Sequence, residues 1–186
     1  MKDQWFGDKR DVVKWGVLLT LAERFSAARI LQIAYYRPSA FGPLIIDGQQ
    51  SAVPLEVLQL FRDIRGAAAI NSRIRVTIYD NVFLDRAAYQ HGVLALLQGF
   101  IAERCVVFLD PDTGLEPQGN ADLQHVLDAE VQAIWNNMKP MDIFVFYQHQ
   151  TNRAGQEWIE PKRTQLAQAL NLGNGDIKVA SGPEIA

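Results

Sequence analysis

The chain has 186 residues, 48% of them hydrophobic and 21% charged, with a formal net charge of -3. That composition suits a globular domain with a real core, and the length is short for an eight-fold α/β barrel. The slight acid excess excludes bulk attraction to nucleic acid but leaves a local basic patch open, and no apolar run approaches a membrane span.

The single cysteine, Cys105, sits inside an apolar run and reads as a core thiol, so a disulfide-free protein of the reducing cytoplasm is expected. The charged start MKDQWFGDKRD does not read as a signal peptide. No linker, repeat or low-complexity segment interrupts the chain, so residues 1–186 are expected to form one domain.

In chain order, the apolar spacing of Val12, Val13, Val17, Leu18, Leu21 and Phe25 predicts a helix from Asp11 to about Arg24. RILQIAYY (Arg29 to Tyr36) reads as a strand, broken by Pro38, Gly42 and Pro43, with LIID a short extended piece. Ser51 and Pro54 open a helix to about Arg65. RIRVTIYD (Arg73 to Asp80) alternates and is β-branched, hence a strand. A helix over Leu84–Leu97 stops at Gly99. CVVFLD is an uninterrupted, central strand. Ala121–Met138 is a helix ended by Pro140, DIFVFYQ (Asp142 to Gln148) a strand, Pro161–Leu170 a helix closed by Gly173 and Gly175, and DIKVAS (Asp176 to Ser181) a last strand.

Strands alternating with helices predict an α/β fold: one doubly wound, mostly parallel sheet with helices on both faces, Rossmann-like. Ligands in such sheets bind beyond the carboxyl ends of the strands, where the strand order switches. Tyr36-Arg37, Asp80-Asn81, Asp110-Pro111-Asp112 and His149-Gln150 each follow a strand directly. All four loops are therefore expected on one edge, and His149, flanked by polar amides, is a candidate site residue there.

Gly7, Asp8, Asp11 and Lys14 in FGDKRDVVKWGVLLTLAERF, with Asp110-Pro111 after the central strand, resemble the bacterial methyltransferases that methylate an adenine amine of large-subunit ribosomal RNA. The chain is also similar, over nearly its whole length, to short bacterial and phage proteins pairing GDxxDxxK with FLDPD. The resemblance implies a methyltransferase-like fold that uses S-adenosylmethionine on an amine of a nucleic acid or small molecule. Lys14 would lie near the cofactor, the loop from Tyr36 to Gly42 would cradle it, and Asp80 would face its ribose. Asp110 and Pro111 would hold the target amine, whose two hydrogens a carboxylate and a carbonyl can accept. Asp112 and Thr113 stand where the family's pattern has a second proline and an aromatic ring, and AYYRPSAFG supplies only Gly42 where a glycine-rich turn is expected.

Two other classes are open. Asp8, Asp11, Asp110, Asp112 and Glu116 could converge on Mg or Mn, with Lys14 stabilising a phosphoryl transition state, as in a phosphoesterase or nuclease. The chain could also be a non-catalytic nucleotide- or protein-binding module, which the absent glycine turn favours. Each residue has a structural reading besides. Asp8 and Asp11 can serve helix entry, Lys14 a surface ion pair with Asp11, and Asp110 a turn cap. Tyr35, Tyr36 and Trp15 can be packing residues; His91 and His125 surface residues on helices; Asp85-Arg86 and Lys162-Arg163 solvated faces.

Overall fold

The computed structural model describes residues 6–38, 42–117, 122–150 and 157–180. Its first helix, α1 (Lys9–Arg24), begins two residues before the expected Asp11, because Asp8 caps it: the Asp8 carboxylate accepts from the backbone N–H groups of Arg10 and Asp11. Asp11, Trp15, Leu18 and Ala22 form its buried stripe, at the spacing of one helix face.

Four strands form one parallel sheet: β1 (Arg29–Ile33), β4 (Arg75–Tyr79), β5 (Cys105–Leu109) and β8 (Ile143–Phe146), in the order β4-β1-β5-β8. The expected four parallel strands are present, each trimmed at its ends. β1 stops at Ile33 rather than Tyr36, since Tyr35 takes a left-handed φ of 45° that leaves the ladder. The even residues Ile30, Val106 and Phe108 pack with Trp15, Leu18 and Ala22 of α1. The odd residues Leu31, Ile33, Val107 and Leu109 pack with α3 (Arg86–Gln98), α4 (Asp128–Asn137) and α5 (Ile159–Ala169) on the other face. This is the α/β, Rossmann-like architecture with helices on both faces of a small central sheet. The chain runs from β1 out to β4 and then crosses to β5 on the other side of β1, so the strand order switches between β1 and β5.

Between β1 and β4 lie a two-stranded hairpin, β2 (Leu44–Ile46) and β3 (Gln49–Ser51), the helix α2 (Leu55–Arg62) and a 3-10 turn over Ile64–Ala69. Ser51 closes the hairpin instead of capping a helix, and α2 ends at Arg62 rather than Arg65. The β2–β3 residues are all exposed. Gly99 does end α3, which starts at Arg86 under an Asp85 cap. Asp85 is exposed, as expected, and its carboxylate also caps the helix by accepting from the Ala88 N–H at 2.7 Å. Arg86 donates to both oxygens of Glu130 (3.0 and 2.9 Å), a buried carboxylate on α4.

The helix expected over Ala121–Met138 is shorter. His125 and Val126 form β7, parallel to β6 (Gly114–Leu115), and α4 begins only at Asp128; Ala121 lies outside the described residues. His125 therefore sits on a strand, not a helix. The last expected strand, DIKVAS, is not one over its described part: Asn174–Asp176 is a 3-10 turn and 177–180 make no ladder, while Ser181 lies outside the described residues. Among the described residues, its alternation of apolar and polar residues pairs with no strand.

Candidate functional site

At the switch point, α1 and β5 meet through charge. Lys14 Nζ lies 3.0 Å from Asp110 Oδ1 and 2.6 Å from Asp11 Oδ1, and its side chain is only 11% exposed. The Nε2 of Gln32, near the end of β1, donates to the second Asp110 oxygen at 2.9 Å. Asp110 and Gln32 are each 1% exposed. The remaining Gln32 oxygen, Oε1, is enclosed and takes no hydrogen bond. The Tyr147 ring, just past β8, lies against the Lys14 ammonium, 4.5 Å from ring centroid to Nζ.

The sequence builds this cluster position by position. Gly7 takes φ 79°, where a side chain would be strained, and its N–H donates to Asp11 Oδ2 at 2.7 Å. Asp8 caps the helix, Asp11 faces inward one turn later, and Lys14 lies three residues beyond on the same face. The pairing of Asp11 with Lys14, expected as a surface bridge, is buried. Burial pushes the Asp11 carboxyl above its ordinary value although Lys14 pulls the other way. Burial also opposes the Lys14 charge, but Asp110 and Asp11 overcome it and raise its pKa above that of an ordinary lysine. The two directions fit one picture: the ammonium gains from two carboxylates, whereas Asp11 loses more water than one shared ammonium replaces.

The other candidates go elsewhere. Asp112 pairs with Arg37, which ties the loop after β1 to the loop after β5. Burial works against the Asp112 charge, and Arg37 is one of the cations that hold its pKa below the ordinary value. Pro111 is buried. Tyr36 is half-buried, and its carbonyl accepts from the Phe83 N–H at 2.7 Å. Of the loop expected to run from Tyr36 to Gly42, residues 39–41 lie outside the described residues. Asp80 pairs with Arg65 at 2.6 Å. Glu116 accepts from the Asp128 N–H at 2.8 Å, at the start of α4. His149 bonds to the carbonyl of Gln150 through Nδ1, and its backbone N–H donates to the Thr113 carbonyl at 3.3 Å.

Lys14, Asp11 and Asp110 thus come together, while Asp80, Glu116 and His149 each have a partner of their own in Arg65, the Asp128 N–H and the Gln150 carbonyl. Two members of the cluster, Gln32 and Tyr147, were missed. A lone polar residue inside the apolar run RILQIAYY was the signal available for Gln32. Lys162, expected on a solvated face, instead donates to the carbonyls of Leu115 and Glu116, and burial lowers its pKa.

Where the fold expects a glycine turn, the protein has packed aromatics. Tyr35 is 2% exposed, with its ring 5.1 Å from Phe83 and 5.2 Å from Tyr89. Its backbone N–H donates to the Tyr89 hydroxyl at 2.8 Å, and the Ala34 N–H to the Tyr79 carbonyl at 3.2 Å. Outside the cluster, an apolar groove of about 540 Å³ runs between α1 and the 3-10 turn, lined by Val12, Trp15, Leu19 and Ile70, with Asp11 in its wall. Among the described residues no group of three or more His, Cys, Asp or Glu side chains could hold a metal ion, and no helix is long and apolar enough to cross a membrane.

No family model, curated protein or solved structure matches the chain.

Proposed function

We propose that the chain is a methyltransferase-like α/β domain that works as a binding module for a nucleotide or a protein partner, without transfer chemistry. One observation carries this reading. Both oxygens of Asp110 are already engaged by the protein's own nitrogens, from Lys14 and Gln32, and the residue is 1% exposed. An acceptor amine would have to displace one of them from a buried site, which leaves a charged or polar group unpaired.

Two features weigh against S-adenosylmethionine. The Ala34 and Tyr35 amides that a glycine turn would offer are spent on Tyr79 and Tyr89, and Asp80 is paired with Arg65. Magnesium or manganese fits no better, because Lys14 stands between Asp11 and Asp110 and Arg37 occupies Asp112. A cytoplasmic setting, where the lone thiol of Cys105 stays reduced, goes with this reading.

The transferase reading keeps one observation in its favour. Two motifs 96 residues apart, Lys14 and Asp110, meet at 3.0 Å at the switch point, and buried charge clusters gather at functional sites. Melting temperature separates the readings. A ligand at a hundredfold excess over its Kd stabilises by about 2.7 kcal/mol, roughly 5–10 °C for a chain of this size. A binding module predicts no shift with S-adenosylmethionine, its demethylated product or manganese. A cofactor shift that Lys14→Met abolishes would establish the transferase instead. A manganese shift lost in Asp110→Asn with Asp112→Asn would establish the phosphoesterase.

A further inference from the structure

The rim opposite the switch point, where the strands begin, carries a row of arginines. Arg29 and Arg75 are the first residues of β1 and β4 and face each other in register, and Arg104 immediately precedes β5. Glu103 pairs with both Arg29 and Arg75 at 3.0 Å. Arg73, 84% exposed, lies 3.7 Å from Glu23, and Arg24 is exposed beside them at the end of α1. Arg104 donates to the backbone carbonyls of Phe25 and Met141, which fix the guanidinium without neutralising it. Five arginines against two glutamates leave a local excess of three positive charges, on a chain whose net charge is -3.

An exposed aromatic ring sits inside this patch. Phe25 is 41% exposed, the Arg24 guanidinium lies 5.6 Å from its centroid, and its carbonyl holds Arg104. Guanidinium groups match phosphate oxygens two at a time, and a ring beside them offers a base a stacking platform. An acidic peptide would use the charges but not the ring. A duplex would keep its bases stacked on one another.

We propose that this rim binds single-stranded nucleic acid, with phosphates on Arg24, Arg73, Arg75 and Arg104 and one base on Phe25. The inference gives the binding module a partner but does not depend on that reading, since the cofactor tests concern the opposite edge.

The test is fluorescence anisotropy with a labelled 12-nucleotide single-stranded oligomer across a salt series. Four phosphate contacts predict a log–log salt slope of about -3, at about 0.7 per contact for single strands. Arg73→Ala with Arg75→Ala, both exposed and so expected to leave the melting temperature intact, should flatten the slope by about 1.4. Phe25→Ala should weaken binding by about 5- to 150-fold at fixed salt, and Phe25→Tyr should not. No saturable binding at low salt, or binding that the arginine pair leaves unchanged, would overturn the proposal. So would an oligoglutamate of matched charge, or a duplex of matched length, that competes as well as the single strand.

Discussion

A lysine ammonium between two buried carboxylates is stabilising only while all three groups are present. Lys14→Met leaves Asp11 and Asp110 facing each other without a cation, so it should destabilise the protein by about 3–5 kcal/mol in urea unfolding. Adding Asp110→Asn to that variant should recover part of the loss, because one of the two stranded charges is gone. The same lysine sets a pH dependence. Its folded pKa is raised above the ordinary 10.5, so its contribution is complete below that value and is lost as pH rises through the folded one. Tyr35 and Tyr89, whose pKa values burial raises, lose stability over the same alkaline window and do so in both proteins. The informative quantity is therefore the difference between wild type and Lys14→Met, which should narrow above about pH 10.5. A difference that stays constant to pH 12 would show that Lys14 is not held by the two carboxylates.

Among the elements, the loop leaving β5 is held by a glycine turn and a side-chain clamp. Gly114 takes φ 110°, and a Cβ there would meet the Gln148 amide at 2.3–2.4 Å. That amide in turn bridges the loop, accepting from the Leu115 N–H and donating to the Thr113 carbonyl. Gly114→Ala should therefore cost about 1–3 kcal/mol in strain plus the loss of this clamp, read as a lowered melting temperature. Gly92→Ala in α3 should be milder than its 1.9 Å clash with the Tyr79 hydroxyl suggests, since a tyrosine ring can turn away and alanine favours the helix. The elements most legible in the sequence were those whose residues are buried on both sides. CVVFL reads as a central strand because no polar residue interrupts it, and it is buried throughout. DIKVAS misled because alternation predicts a strand only where a neighbour exists to complete the ladder. For the site, Asp11, Lys14 and Asp110 were legible because helix spacing marks the first two and a loop directly after a strand marks the third. Gln32 and Tyr147 were not, since only the register of β1 and β8 against β5 carries Gln32 to Asp110 and Tyr147 to Lys14.

Over the molecule, protection is unevenly distributed. β1 and β5 lie inside the sheet with strands on both sides, while the β2–β3 hairpin is exposed at every residue. A two-stranded ribbon alone is marginal in water. Native-state hydrogen exchange should therefore find the β2–β3 amides opening locally, at least about a hundredfold less protected than those of β5, which should exchange only on global unfolding. Equal protection would mean that the hairpin is packed against something.

β1 leaves the ribosome before both of its ladder partners, and long before the second. Ile33 pairs with Tyr79 and with Leu109, so the second edge of β1 stays open until 76 more residues have been made. At roughly 5–20 residues per second, that interval is about 4–15 s, long beside the microseconds in which an isolated helix forms. During synthesis α1 can form at once, but the apolar strand behind it waits with one hydrogen-bonding edge bare until β5 is made. The nascent chain should accordingly be a substrate for holding chaperones up to the completion of β5 and cease to be one soon after. Ribosome display of stalled chains ending before and after Leu109, extended by the length of the exit tunnel, would locate that change.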